Sequence, residues 1–379
     1  MTQPAPHSPV VDLCRAFVRI PSLSGQEGEM AQAAAAAMAV LGLAVETDIC
    51  GSVVGVRRGS GPGPTVLLDA HMDTVPVTRP EAWTHAPHGA ELVEGRIWGR
   101  GAADTKGSLA AMLYAVAGLE DFVGTVVVSA SVGEEDLTSA ALEPILDRHR
   151  PDLVLVGEPT SLRLGVAQKG RAGILLEATG RSAHSSRPEL GDNAVYKLLE
   201  AVARLRALPL PVDADLGAGV CELIEIGSEP RHSQGMVPHL CTARLALRLL
   251  PGETAETVLA RITAALIGLE GVSVRLARLA RPCHTGHPIE MDEFIPAWKN
   301  SDTNLQGRLL AALGTTAFAA PYTTNASAAA QRGIPVFLLG PGAIEQAHIS
   351  DEWLAVAELE AAVPAYAAAI RVGLGREPR

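Results

Sequence analysis

The chain has 379 residues, of which 47% are hydrophobic and only 3% aromatic, and its formal net charge is -11 at pH 7. This length exceeds what one ordinary hydrophobic core accommodates, so two domains are expected. The negative charge argues against nonspecific binding to nucleic acid or to an anionic membrane, and no apolar stretch is long enough to predict a membrane span.

The cysteines point to a reducing compartment. There are five, Cys14, Cys50, Cys221, Cys241 and Cys283, widely spaced and without a CxxC pair. This pattern is typical of free thiols and argues against a disulfide framework or a cysteine zinc site. The N-terminal stretch also lacks the basic and apolar regions of a signal peptide, so we expect a cytoplasmic protein.

Strands and helices alternate through the first part of the chain. Ser24 and Glu27 have the spacing of a capping box, which predicts a helix that starts near residue 25 and continues into an alanine-rich segment. Apolar runs predict strands at 53–58, 65–70, 125–130 and 153–156, and helices are predicted from residue 106 and over 142–149. This alternation indicates an α/β fold with a largely parallel sheet.

A different pattern begins near residue 171. The predicted order is a strand at 173–179, a helix at 192–207, strands at 221–226 and 241–250, a helix at 253–267 and a strand at 272–280. This β-α-β-β-α-β order is that of a ferredoxin-like unit of about 110 residues. Helices and strands resume at 305–313, 335–339 and 352–371, so we expect a domain built from 1–170 and 281–379 with a second domain, 171–280, inserted into it.

Ionisable side chains follow the predicted strands of the first domain. They are His71 and Asp73, Glu134 and Glu135, and Glu158, with Asp104 in a glycine-rich turn. In open α/β sheets, sites form beyond the carboxyl ends of the strands. Converging carboxylates repel one another unless cations lie between them. Histidine and carboxylates without cysteine are ligands that suit zinc, cobalt or manganese.

His71 and Asp73 stand two residues apart, a spacing that places both side chains on one face of a strand. A carboxylate in that position can accept the imidazole N–H and fix the other ring nitrogen as a lone-pair donor. The alternative for the pair by itself is a solvated histidine next to a turn aspartate.

Taken together, these motifs resemble those of the dizinc deacylases and exopeptidases, the family of acetylornithine deacetylase, succinyl-diaminopimelate desuccinylase, aminoacylase and carboxypeptidase G. They occur in the family's order as HMD at 71–73, GRGAADTKG at 99–107, EE at 134–135, GEPT at 157–160 and AHISDE at 347–352. The opening stretches RIPS and SGQE match as well, so the resemblance covers nearly the whole chain. Further stretches are similar to the YgeY-like branch of the family.

The resemblance implies a zinc-exopeptidase-like catalytic domain with a mixed, mainly parallel sheet and an inserted ferredoxin-like dimerisation domain that acts as a lid. It also implies two divalent metal ions, zinc in the first place, with cobalt or manganese as alternatives. Asp104 would bridge the ions, His71 and Glu158 would complete one site, and Glu135 and His348 the other. Asp73 would orient His71, Glu134 would be the general base, and the Asp104–Thr105 peptide would be cis.

Three further residues receive roles from the resemblance. His184, in the inserted domain, would reach the site of the partner subunit in a homodimer and bind the developing oxyanion; the alternative is a polar loop histidine. Arg248 would hold the substrate carboxylate, the alternative being a surface arginine at a strand edge. Asn325 lies in a loop that contacts substrate in relatives, although the loop sequence here departs from the usual pattern.

The predicted reaction is hydrolysis of the amide bond of an N-acyl amino acid or short peptide by metal-bound hydroxide, with release of an amino acid. A metallo-exopeptidase is the alternative, followed by a catalytically idle binding protein on the same scaffold. A serine hydrolase that uses Ser185 or Ser186 with His184 is disfavoured because the chain has no GxSxG elbow. Gly235 and Ala246 depart from the family pattern at positions that contact substrate, so the acyl group and amino acid do not follow from the resemblance.

Overall fold

The structure is a computed structural model that describes residues 7–231 and 235–375. In this part the α-helices are α1 Pro9–Val18, α2 Gly28–Val40, α3 Gly107–Ala117, α4 Glu134–Leu137, α5 Glu143–His149, α6 Ala194–Arg206, α7 Ala255–Ala265, α8 Thr303–Leu313, α9 Ala326–Gln331 and α10 Val356–Gly373. The strands are β1 Ala44–Thr47, β2 Val53–Arg58, β3 Thr65–His71, β4 Glu91–Val93, β5 Arg96–Trp98, β6 Thr125–Ser131, β7 Leu153–Val156, β8 Leu164–Gln168, β9 Gly170–Thr179, β10 Val212–Asp213, β11 Gly217–Ala218, β12 Val220–Glu229, β13 Leu240–Leu249, β14 Val272–Leu276, β15 Arg278–Pro282, β16 Pro288–Asp292, β17 Phe294–Ile295, β18 Trp298–Lys299, β19 Ala317–Ala320, β20 Val336–Leu338 and β21 Trp353–Ala355.

The larger sheet has the spatial order β1-β2-β6-β3-β7-β20-β8-β18. Its four central strands, from β6 to β20, run parallel, and antiparallel strands extend the sheet on both sides. Strands β3 and β6 are buried on both faces except at their first residues, which explains their continuous apolar sequence. The α/β architecture with a mixed sheet is therefore confirmed, and the carboxyl ends of the central strands meet at one edge.

The second sheet has the order β12-β13-β9-β14 and is antiparallel throughout. Together with α6 and α7 it has the predicted ferredoxin-like layout. Alternate residues of β13, such as Leu245 and Leu247, are buried in a core shared with both helices, whereas the residues between them face the other way. The short strand β17, beyond the predicted boundary at residue 280, also pairs with β9. The division at 171–280 therefore stays a prediction.

Several predicted element boundaries differ from those of the structure, and contacts in the structure explain two of the differences. The strand predicted at 272–280 ends at Leu276, because the Ala277 carbonyl accepts from Glu293 N and the chain turns into a separate two-stranded sheet, β15 with β16. The helix predicted to start near residue 25 begins at Gly28. Its expected capping side chains bind elsewhere: Ser24 donates to Asp73, and Glu27 accepts from Gly133 N.

Helices α1, α2, α3 and α10 cover one face of the larger sheet, and α5 and α9 cover the other. The close approach of α3 to the end of β7 depends on Gly157, where a Cβ would lie 2.6 Å from Met112 Cε. Among the described helices, none has both the length and the apolar sequence that crossing a bilayer requires.

Candidate metal centre

His71, Asp104, Glu135 and His348 converge at the carboxyl edge of the larger sheet. His71 Nε2 lies 2.9 Å from Asp104 Oδ1, and Asp104 Oδ2 lies 3.3 Å from His348 Nε2. His348 Nε2 is also 3.0 Å from Glu135 Oε2. One ligand atom from each of His71, Asp104 and Glu135 lies within 4.8 Å of the others. Residues separated by up to 277 positions in the chain thus surround Asp104.

Two more carboxylates are buried beside this group. Glu158, directly after β7, is 5% exposed, and Glu134, directly after β6, is 8% exposed. Burial raises the pKa of Glu134 to about 8, and the negative charges of Glu135 and Asp73 add to this effect. Burial and the neighbouring Asp104 charge raise the pKa of Glu158 well above its usual value. Glu134 Oε1 is buried and has no hydrogen-bond partner in the described part of the chain.

The residues of this cluster fit divalent cations. Contacts with Asp104 and Glu135 raise the pKa of His348 to about 10. Burial opposes charge on His71, but its contacts with Asp104 and Asp73 outweigh burial and raise its pKa. Protons on these histidines thus offset the crowded carboxylates, and a divalent cation would offset them in the same way while using both residue types as ligands. His71, Asp104, Glu135, Glu158 and His348 could hold such ions.

Asp73 connects the segments that carry the cluster. Its Oδ1 accepts from Glu134 N at 3.0 Å, and its Oδ2 accepts from Glu135 N at 3.1 Å and from Ser24 Oγ at 2.7 Å. His71 Nδ1 lies 2.9 Å from the backbone carbonyl oxygen of Asp73 and 3.5 Å from its carboxylate. The carboxylate therefore holds the two glutamates, and the backbone carbonyl makes the shorter contact with His71.

The two glutamates leave β6 through a turn. Gly133 has a φ of 67°, and Glu134 and Glu135 begin the short helix α4. In an extended strand these side chains would face opposite ways. Because the strand ends at this turn, both side chains can reach the cluster.

Asp104 is held by a network that the sequence analysis missed. The Asp104–Thr105 peptide is cis, as the resemblance implied. Glu352 Oε1 accepts from Ala103 N at 3.0 Å and from Asp104 N at 3.2 Å, and its Oε2 pairs with Arg100 Nη1 at 2.7 Å. Glu352 belongs to the AHISDE stretch and Ser24 to the SGQE stretch. The match of both stretches to the family motifs is the sequence feature that could have identified these two residues.

Asn325 lies beneath the cluster. It is 2% exposed, and its Nδ2 donates to Asp69 Oδ2 at 3.0 Å and to Ser131 Oγ at 3.2 Å. Its Oδ1 accepts from Ser139 N at 2.6 Å. Both Nδ2 hydrogens are thus used within the chain, and the second lone pair of Oδ1 is what Asn325 could still offer to a substrate, so the predicted substrate-binding role stays a prediction.

Arg248 and His184 lie on the ferredoxin-like unit. Arg248 is partly buried on β13, and its Nη1 donates to Thr323 Oγ1 at 3.4 Å. His184 is exposed in a loop, where its Nδ1 accepts from Ser186 N at 3.1 Å. In the described part of this single chain, no hydrogen bond joins His184 to the cluster around Asp104.

Comparison with known proteins places this cluster in context. Residues 67–372 match the profile of Peptidase family M20/M25/M40. The chain is 32% identical to the uncharacterized protein YgeY of Escherichia coli over 89% of this chain and 88% of that protein. It is 29% identical to acetylornithine deacetylase of Yersinia pseudotuberculosis, over 93% and 94% of the two chains.

The fold is similar to the crystal structure of an M20 family metallo-carboxypeptidase from Sulfolobus solfataricus. The TM-score is 0.75 with 18% identity, and the match covers 97% of this chain and 99% of that one. These matches confirm the predicted resemblance, including the similarity to YgeY, and the fold class.

Proposed function

The chain belongs to peptidase family M20/M25/M40 and is a metal-dependent amide hydrolase, and we propose that it releases an amino acid from an N-acyl amino acid or short peptide. One observation carries this proposal. Ligand atoms of His71, Asp104 and Glu135 lie within 4.8 Å of one another, and Glu134 is buried beside them with one carboxylate oxygen that no described residue hydrogen-bonds.

We propose two divalent ions, zinc in the first place and cobalt or manganese as alternatives. Asp104 would lie between them, with His71 and Glu158 on one side and Glu135 and His348 on the other. The support for this arrangement is that the two oxygens of Asp104 point at different histidines. Such ions, when bound, polarise the substrate carbonyl and make water more acidic.

Glu134 is the proposed general base. Its Oε1, which has no hydrogen-bond partner among residues 7–231 and 235–375, can take a proton from water and pass it to the departing amine nitrogen. A carboxylate whose oxygens already accept hydrogen bonds does this less readily. Asp73 and Ser24 are positioning residues, because their hydrogen bonds fix the turn that carries Glu134 and Glu135.

Arg248 and His184 are the proposed substrate contacts of the ferredoxin-like unit. Arg248 presents a guanidinium fork that suits a carboxylate, and His184 would act on the partner's site in a homodimer. Exposed apolar side chains on the edge strand β12 and on α6 support dimerisation through this unit; Ile224 is 57% and Tyr196 71% exposed. The five cysteines are unpaired thiols, which supports a cytoplasmic location.

The test uses zinc-loaded protein with a panel of N-acetyl amino acids and dipeptides. We expect hydrolysis of at least one class, and we expect Glu134→Gln to lower kcat by about 10²- to 10⁴-fold while the metal content stays unchanged. Glu120→Gln removes the same charge from an exposed position and serves as the matched control. A wild-type rate in Glu134→Gln would exclude Glu134 as the base.

A further inference from the structure

Asn325 joins three segments beneath the candidate metal centre. Its Nδ2 donates to Asp69 Oδ2 on β3 at 3.0 Å and to Ser131 Oγ on β6 at 3.2 Å. Its Oδ1 accepts from Ser139 N, two residues beyond α4, at 2.6 Å. Asp69 and Asn325 are at most 2% exposed, and polar groups buried this deeply are stable only when they are paired. A primary amide meets this need because it donates to two groups and accepts from a third.

The helix α4, which carries the proposed base Glu134, depends on bonds from outside. It has only four residues, and a helix of that length is not stable in isolation. Asp73 holds its first turn by accepting from two of its amides. Beyond its other end the chain passes through Ser139, whose φ of 78° is rare for a residue with a side chain and persists only where neighbouring groups hold it. The bond from Ser139 N to Asn325 supplies such a hold.

The other two bonds of Asn325 reach the larger sheet beside His71. Asp69 and His71 lie two residues apart on β3, so their side chains face the same way. Ser131 is the register partner of His71 on the neighbouring strand β6. Asn325 therefore connects the end of α4 to the part of the sheet that carries His71.

Asn325 is itself fixed in place, because Gln168 on β8 holds the residues on both sides of it. Thr324 Oγ1 donates to Gln168 Oε1 at 2.7 Å, and Gln168 Nε2 donates to Ser327 Oγ at 2.9 Å. These three residues are at most 1% exposed. A side chain held in this way can serve as a rigid support for α4.

We propose that Asn325 and Asp69 form an anchor that positions Glu134 by holding the end of α4 against the strand that carries His71. This inference rests on the proposed function, in which Glu134 is the general base. It differs in its kinetic consequence from the contact with substrate that the sequence predicts for Asn325. Loss of an anchor lowers kcat for every substrate, whereas loss of a substrate contact chiefly raises KM.

The test exchanges the two side chains of the anchor. Asn325→Asp places two carboxylates against each other in a buried site, where they repel, and removes the donor to Asp69. Adding Asp69→Asn restores one amide and one carboxylate, with the donor now on β3 and the carboxylate able to accept from Ser139 N. Asn304→Asp makes the same substitution at an exposed position in the first turn of α8 and is the matched control.

Two properties of the full-length wild type and of each variant are measured. Hydrogen–deuterium exchange of the Ser139 amide, followed by mass spectrometry before zinc is added, reports how firmly the end of α4 is held. The values of kcat and KM are then determined on the zinc-loaded samples, with their metal content, for the substrates of the N-acetyl amino acid and dipeptide panel that the wild type hydrolyses.

We expect Asn325→Asp to speed exchange of the Ser139 amide by about tenfold or more and to lower kcat by about 10²-fold for every substrate, with KM changed by less than about threefold. The double variant Asn325→Asp with Asp69→Asn should return exchange and kcat to within about threefold of the wild type. Asn304→Asp should change neither property.

Three results would overturn the anchor: a defect confined to KM, a loss of kcat without faster exchange at Ser139, or a double variant as defective as Asn325→Asp. If the wild type hydrolyses no member of the panel, the proposed function fails, and the catalytic role of the anchor fails with it. Unchanged exchange in Asn325→Asp, by contrast, overturns the anchor alone and leaves the proposed function standing.

Discussion

The Asp73 carboxylate positions residues of the candidate metal centre, although it is not itself a predicted metal ligand. It accepts hydrogen bonds from the amides of Glu134 and Glu135 and from the hydroxyl of Ser24. Contacts with His71 and these hydrogen bonds overcome the effect of burial and lower the pKa of Asp73, so it stays ionised. A negatively charged acceptor is what two converging backbone N–H groups require.

Asp73→Asn should weaken both metal binding and catalysis. An asparagine offers one oxygen and one NH₂ group, so it cannot accept from both glutamate amides, and the turn at Gly133 loses a constraint. We expect zinc affinity and kcat to fall by about 10- to 100-fold each. Zinc affinity is measured by competition with a chelator. Ser24→Ala removes only one of the three bonds and should have the smaller effect; equal effects of the two substitutions would contradict this view of Asp73.

At the level of elements, the strands that are buried on both faces were predicted most accurately from the sequence. The strand at 153–156 occurs with the predicted bounds, and those at 65–70 and 125–130 extend one residue further, because their apolar runs are buried on both faces. The start of α2 was mispredicted because Ser24 and Glu27 bind Asp73 and Gly133 rather than the helix terminus. Such distant pairings have no signature in the local sequence.

The same limit applies to the site. The order of the motifs identified the residues around Asp104. It did not predict that Glu352 accepts hydrogen bonds from the backbone of the turn that carries Asp104. The pairing of Arg171 with Arg248 was also missed, because these two residues become neighbours only through the register of β9 with β13. Register depends on the whole sheet, and a single strand sequence does not specify it.

Gly157→Ala should disturb the packing of α3 against the end of β7. Its new methyl group would lie 2.6 Å from Met112 Cε and 2.8 Å from Ser108 Cβ, so the helix or Glu158 must shift. We expect the free energy of unfolding to fall by about 1–3 kcal/mol, measured by denaturant titration. Gly307→Ala, in the exposed part of α8 with no atom within 4 Å of the new Cβ, should instead stabilise by about 0.5–1 kcal/mol. An unchanged free energy of unfolding in Gly157→Ala would show that Met112 and Ser108 can move aside at little energetic cost.

For the molecule as a whole, the buried acids couple stability to pH. Burial raises the pKa of Glu134 to about 8 and that of Glu352 to about 7, and contacts with Asp104 and Glu135 raise that of His348 to about 10. Each group binds a proton more tightly in the folded state than in the unfolded state. Their contribution to stability is therefore lost as pH rises. Burial lowers the pKa of Lys106 to about 8. Lys106 therefore makes stability rise with pH, but only above about pH 8.

The metal-free protein should consequently have a Tm that falls as the pH rises from about 5 to about 8. Zinc should raise the Tm, and by more at the higher pH, because fewer protons then compete for the same side chains. Thermal unfolding followed by circular dichroism, with and without zinc, measures both effects. A metal-free Tm that rises over this range would show that these groups are not protonated in the folded protein.

Side chains from distant parts of the chain meet around Asp104, where we propose that they hold catalytic ions. Elemental analysis of purified protein, with hydrolysis of N-acetyl amino acids assayed on the same sample, tests this proposal most directly. We expect about two divalent ions per active chain, with activity that is lost on chelation and returns with zinc. Full activity in a sample that contains no divalent metal would contradict it.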